Sequence, residues 1–113
     1  MRRKGTLKPI SRKPNKRRGK RWRRNAVRHA RNRLGERYGL AISTDEYWAL
    51  VSAVQSGNGA KRFYRPTSRE AWHLVRIEGQ PVIALYDHQS RHISTFLPLC
   101  ALSEIGKTLE GVA

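Results

Sequence analysis

The stretch RNAVRHARNRLGERYGL, residues 24–40, sets His29, Arg33 and Arg37 at i, i+4 and i+8, so one imidazole and two guanidinium groups share a single stripe of a helix. That combination suits phosphodiester chemistry. A histidine can take or give the proton of an attacking or leaving hydroxyl near neutral pH, while arginine stabilises the charge that builds on the phosphorus oxygens. The same spacing also describes a surface stripe that grips phosphates and breaks nothing, with His29 incidental to it. Residue types alone leave both alternatives open.

A second set lies in the C-terminal half. His73, Tyr86 and Thr95 are expected on one face of a sheet, where a tyrosine can donate a proton or stack on a base and a threonine can hold a phosphate oxygen. The plainer alternative is three residues on a solvated sheet face. In DHQSRH, Asp87, His88 and His92 crowd one loop, but no cysteine or further carboxylate joins them, so no metal centre is expected. The chain has no GxxxxGK[ST] loop, no GxGxxG after a strand and no usefully spaced carboxylate pair, and no cofactor is expected.

Two periodicities must position these residues. From Arg21 the pattern is helical to residue 38, with Val27, Ala30, Leu34 and Tyr38 on one face and Gly39 as the stop. STDE opens a second helix over 44–56. Ser43 and Glu46 have capping-box spacing, and Tyr47, Leu50, Val51 and Val54 form the apolar stripe. Beyond SGNG the period falls to two. KRFYRP reads as a short first strand, and EAWHLVRI, PVIALYD and HISTFLP as three longer ones. The short connections EG and HQSR impose antiparallel neighbours. The expected fold is α+β: two N-terminal helices packed on a three- to four-stranded antiparallel meander sheet. LSEIGKTLEG is expected as one helical turn or a loose end.

Counting back from Glu78-Gly79 pairs Ile77 with Gln80, Val75 with Val82 and His73 with Ala84. A symmetric second turn pairs Tyr86 with Ile93 and Ala84 with Thr95. One face then carries Trp72, Leu74, Ile83, Leu85 and Phe96, and is assigned to the helices. The other carries His73, Val75, Ala84, Tyr86, Ile93 and Thr95, and is expected to line a half-open cleft.

At 113 residues the chain makes one domain, and its net charge of +16 is concentrated at one end. Residues 1–35 hold 16 Lys/Arg and no acid, whereas residues 36–113 hold 8 of each sign. Residues 1–20 are therefore expected to be a disordered basic arm, and residues 21–113 a single folded domain whose part beyond residue 35 is neutral. Such an arm meets a polyanion, with RNA favoured over DNA. The expected contacts are Arg17, Arg18, Lys20, Arg21, Trp22, Arg23, Arg24 and Arg28, with Arg37 and Arg76 further along. Trp22 either stacks on a base or packs back on the domain, and Trp48 and Trp72 are placed in the core. No run approaches the roughly 18 apolar residues of a membrane span, so no membrane partner is expected. MRRKGTLKPI lacks the apolar core of a secretory signal. A single cysteine, Cys100, excludes an internal disulfide and fits the cytoplasm, where LPLCAL makes it a small buried hydrophobe.

Taken together, HARNRLGERYGL, the WHLVRIEGQPVIALYD hairpin and the closing RHISTFLP resemble small proteins of the barnase–EndoU–colicin–RelE-like ribonuclease superfamily, toxin and phage-encoded members among them. The similarity spans residues 26–98. It implies a RelE-like domain that cleaves RNA without metal, by attack of the 2′-hydroxyl, with His29, Arg33, Arg37, Tyr86 and Thr95 at the site. His73 and Arg76 join that set from the face assignment. The resemblance also points to the ribosome or an antitoxin as partners besides RNA. The rival expectations are a non-catalytic protein that binds RNA, the ribosome or DNA on the same fold, and a virion structural protein whose arm neutralises genome charge.

Overall fold

The computed structural model describes the backbone of residues 16–112 and the side chains from residue 21 onward. The elements run α1 (Lys16–Tyr38), α2 (Thr44–Ser56), β1 (Ala60–Tyr64), β2 (Glu70–Ile77), β3 (Gln80–Asp87), β4 (His92–Leu97), α3 (Ala101–Glu104) and α4 (Leu109–Val112). The four strands form one antiparallel sheet in the order β1-β2-β3-β4. This is the expected α+β architecture. Helix α1 starts at Lys16, five residues before the expected boundary, because Lys and Arg are good helix formers and the basic run carries the helix on. The rest of the expected arm, residues 1–15, lies outside the described residues. No described helix is long and apolar enough to cross a membrane.

Local chemistry sets the boundaries. Gly39, at φ 67°, closes α1 with its N–H on the Gly35 carbonyl. The Ser43–Glu46 capping box forms in full: Ser43 Oγ accepts from the Glu46 N–H at 3.1 Å, and Glu46 Oε1 accepts from the Ser43 N–H at 2.7 Å. Glu78 and Gly79 take φ of 53° and 80°, the two left-handed positions of a type I′ hairpin. The β2–β3 register follows the expectation, with Ile77 opposite Gln80, Val75 opposite Val82 and His73 opposite Ala84. At the next turn Asp87 Oδ1 accepts from the Gln89 and Ser90 N–H groups, and Arg69 Nε lies 3.0 Å from Asp87 Oδ2.

The expected face assignment is reversed, for two reasons. Tyr86 does face Ile93, but the β3–β4 ladder slips at a bulge between Leu85 and Tyr86, so Leu85 faces Thr95 and Ala84 faces Phe96. Phe96 is thereby carried to the side of His73, Val75 and Ala84, and Thr95 to the side of Trp72 and Leu85. The helices then cover the face with Phe96: Val27, Ala30, Leu34, Tyr47, Val51 and Val54 pack on Val75, Val82, Ala84, Tyr86, Ile93 and Phe96. The opposite face is covered as well. Leu99, Leu102, Leu109 and Val112 of the C-terminal segment lie over Leu74, Ile83, Trp72 and Leu97, so that segment is a second layer of cover and no loose end. Cys100, expected to be buried, is exposed on this layer.

Helix α1 lies along the edge strand β4 and is fastened at both ends. Near its N-terminus the Trp22 ring meets His92 edge-on with centroids 5.0 Å apart. At the other end Arg37 Nη1 donates to the Phe96 carbonyl at 2.8 Å, and the Tyr38 hydroxyl donates to Leu97 O and accepts from the Ile83 N–H. Helix α2 adds a third fixture, the buried Tyr47 hydroxyl donating to Ile93 O at 2.6 Å.

Candidate nucleic-acid interface

The apolar stripe Val27–Ala30–Leu34 divides the surface of α1 into two flanks. The flank toward β4 carries Trp22, His29, Arg33 and Arg37; the flank toward α2 carries Arg24, Arg28, Arg31 and Gly35. They differ in how far their charges are already occupied. On the β4 side Arg33 is paired with Glu36 at 2.8 Å, and Arg37 is committed to Phe96 O. On the α2 side Arg28 Nη2 reaches the neutral Asn25 Oδ1 at 2.9 Å. The two ion pairs formed among the described residues are Arg33–Glu36 and Arg69–Asp87, so Arg23, Arg24, Arg28 and Arg31 carry uncompensated charge.

These free arginines line two adjoining clefts between α1 and the start of α2. One, of about 330 Å³, is bounded by Arg23, Arg24, Val27, Arg28 and Arg31 of α1 and by Thr44 and Trp48 of α2. The other, of about 570 Å³, shares Arg28 and Arg31 and continues past Gly35 to Leu40, Ala41 and Ile42, with Asn32 and Glu36 also on its wall. Arg24, Arg28 and Arg31 follow i, i+4, i+7, so they stand in a row about 10 Å long on the cleft rim. Gly35 is the next position in that row. A Cβ there would come no closer than 3.7 Å to any neighbour, the Leu40 carbonyl, so its lack of a side chain leaves room rather than avoiding a clash.

The expected catalytic residues stand apart. His29 is exposed on α1. His73 and Tyr86 lie beneath the helices, 6% and 5% exposed, where a half-open cleft was expected. Their rings meet edge-on at 6.1 Å, and the Tyr86 hydroxyl accepts from Gln55 Nε2 at 3.0 Å. Neither ring nitrogen of His73 has a hydrogen-bond partner. Burial, helped by the charges of Arg62 and His88, lowers its pKa to about 4 and keeps it neutral. Thr95 sits half-buried on the opposite face of the sheet. His29, His73 and Thr95 thus occupy three separate surfaces.

The expected binding residues divide in the same way. Arg21, Trp22, Arg23, Arg24 and Arg28 are exposed on α1. Arg17, Arg18 and Lys20 fall on its first turns, where only the backbone is described. Trp22 packs back on the domain, its edge resting on His92, and stays 45% exposed. Arg76 is at the β2–β3 hairpin, bonded to the Gly79 carbonyl at 3.3 Å, and lines neither α1 cleft. Asp87 and His92 serve the β3–β4 turn. Burial alone would raise the Asp87 pKa, but Arg69 and the Ser90 and Gln89 N–H groups outweigh it and hold the carboxyl at about 2. His92 is lowered by burial and shares a hydrogen bond with Ser90 through Nδ1. Among the cleft residues not singled out from the sequence as contacts are Arg31, Thr44 and Trp48. The i, i+4, i+7 row announces Arg31, whereas Trp48, taken for a core residue, is half-buried and opens onto the cleft.

No protein-family model, curated protein or solved structure matches the chain.

Proposed function

We propose that this chain is a nucleic-acid-binding protein, with RNA as the favoured partner, which engages phosphates along the α2-facing flank of α1. One observation carries this: four arginines without an acidic partner line adjoining concave spaces on one helix. A guanidinium without an acidic partner on a cleft rim is suited to an incoming anion, and several in a row are suited to a polyanion. The N-terminal run adds attraction of the same sign.

Ribonuclease activity of the kind the resemblance implies draws less support. It needs a proton-transfer group, a charge-stabilising group and a phosphate within hydrogen-bond reach of one another. Here His29 is on the helix surface, His73 and Tyr86 are under the helices, and Thr95 is across the sheet. The test is a binding titration of purified protein with labelled RNA, run beside a cleavage gel with and without EDTA. Salt-sensitive binding with intact RNA is the expected result. Cleavage that persists in EDTA and disappears in His29→Ala would replace this proposal with the catalytic one. Absence of binding at low salt would overturn both.

A further inference from the structure

We infer that the twin cleft takes single-stranded nucleic acid, with an unpaired base seated against Trp48 and the neighbouring phosphates on Arg24, Arg28 and Arg31; this rests on the nucleic-acid proposal above. The argument starts from shape. A duplex keeps its bases stacked inside and presents phosphates on a convex surface, so it could touch the arginine rim but would leave the floor empty. That floor is apolar and aromatic: Val27 and Trp48 in one cleft, Leu40, Ala41 and Ile42 in the other. Volumes of about 330 and 570 Å³ fall in the range that holds small ring systems. An arginine rim over an apolar floor matches a strand whose bases are free to turn inward while its backbone stays at the rim.

Trp48 is prepared for that contact. Its indole is set nearly perpendicular to the Tyr47 ring, at 86° with centroids 4.9 Å apart, and Tyr47 is itself held by its bond to Ile93 O. The Tyr47 contact restrains the indole before any ligand arrives, which lowers the ordering cost of binding. Over the indole stands the Arg23 guanidinium, 5.9 Å from the ring centroid, the outer limit of a cation–π contact. That cover is a flexible side chain on an exposed helix position, able to lift aside or to lie against the far side of an entering base. Of the acids nearby, Glu36 is paired with Arg33; Glu46, hydrogen-bonded in its helix cap, and Asp45 keep their negative charge and are outnumbered by the four arginines of the clefts.

Fluorescence anisotropy of the full chain with labelled oligouridylate, oligothymidylate, a duplex of equal length, and an otherwise identical strand carrying abasic sites tests this inference. The single strands should bind more tightly than the duplex. Removing the bases should cost about tenfold or more, the size of a lost aromatic stack. Trp48→Leu should cost the intact strand a similar factor and the abasic strand nothing further, while Trp48→Phe should restore part of the loss. The abasic comparison needs no variant and so holds even where Trp48→Leu folds poorly. A duplex bound as tightly as the single strands, or an abasic strand bound as tightly as an intact one, would overturn the inference and leave the broader proposal standing. Equal competition by polyglutamate of matched charge would overturn it too. Failure to bind any of the nucleic acids would sink the proposed function itself.

Discussion

Replacing Arg24, Arg28 and Arg31 together with glutamine removes the charged row while leaving the helix able to form. All three side chains are exposed, and Gln propagates helix about as well as Arg. If each guanidinium neutralises one phosphate of a single strand, each contributes about 0.7 to the slope of log affinity against log salt, so the triple change should flatten that slope by about 2. Across a rise from 50 to 200 mM salt this corresponds to about 20-fold less loss of affinity than the parent shows. The assay is the same anisotropy titration repeated at four or more salt concentrations. The matched control is Arg65→Gln with Arg76→Gln, because those guanidinium groups are bonded to local carbonyls at Ser68 and Gly79 and lie off the cleft rim. A slope untouched by the triple change, or lowered equally by the control, would refute the assignment of the phosphate path to this flank.

Three further outcomes test the fold that holds the helix. His73 binds no proton until about pH 4 in the folded chain but titrates near pH 6.5 when unfolded, so stability should fall as pH drops through that window, by about 3 kcal/mol from this residue. Urea melts between pH 7 and 4 should show it. His73→Leu should make the profile shallower, the remainder coming from His92, whose pKa is lowered in the same sense. Tyr47→Phe leaves the buried Ile93 carbonyl without its hydroxyl donor and should cost about 1–2 kcal/mol by urea denaturation. Glu78→Asn puts the residue that type I′ turns favour where glutamate now sits at φ 53°, and should raise stability by about 1 kcal/mol in thermal melts.

Much of this scaffold is legible in the residues. Ser43 and Glu46 announce the start of α2, Gly39 the end of α1, and Glu78-Gly79 the register of the central hairpin, because each is a local rule acting within a few residues. What was not legible depended on longer range. Nothing around Ser94 marks the ladder slip, yet that slip decides which face receives Phe96 and which Thr95. With LSEIGKTLEG taken for one helical turn or a loose end and given no sheet face to cover, the larger apolar face was assigned to the helices, and Leu102 and Leu109 in fact lie over that side. The flank proposed to bind was half visible. Attention to the i, i+4 spacing of His29, Arg33 and Arg37 picked the flank whose arginines are already engaged, while the row one stripe over remains free.

That free row has a thermal consequence. Like charges at i and i+4, as at Arg24 and Arg28, weaken a helix by about 0.2–0.5 kcal/mol per pair in low salt. No ion pair formed among the described residues offsets them, so the helix persists through its buried stripe and its fastenings to His92, Phe96 and Leu97. Added salt should therefore raise the melting temperature of the free chain while it weakens the complex, and a bound polyanion should raise it further by relieving the same repulsion. On the proposed function, the loaded protein should be the most heat-resistant form, and unloaded copies in dilute buffer the first to unfold.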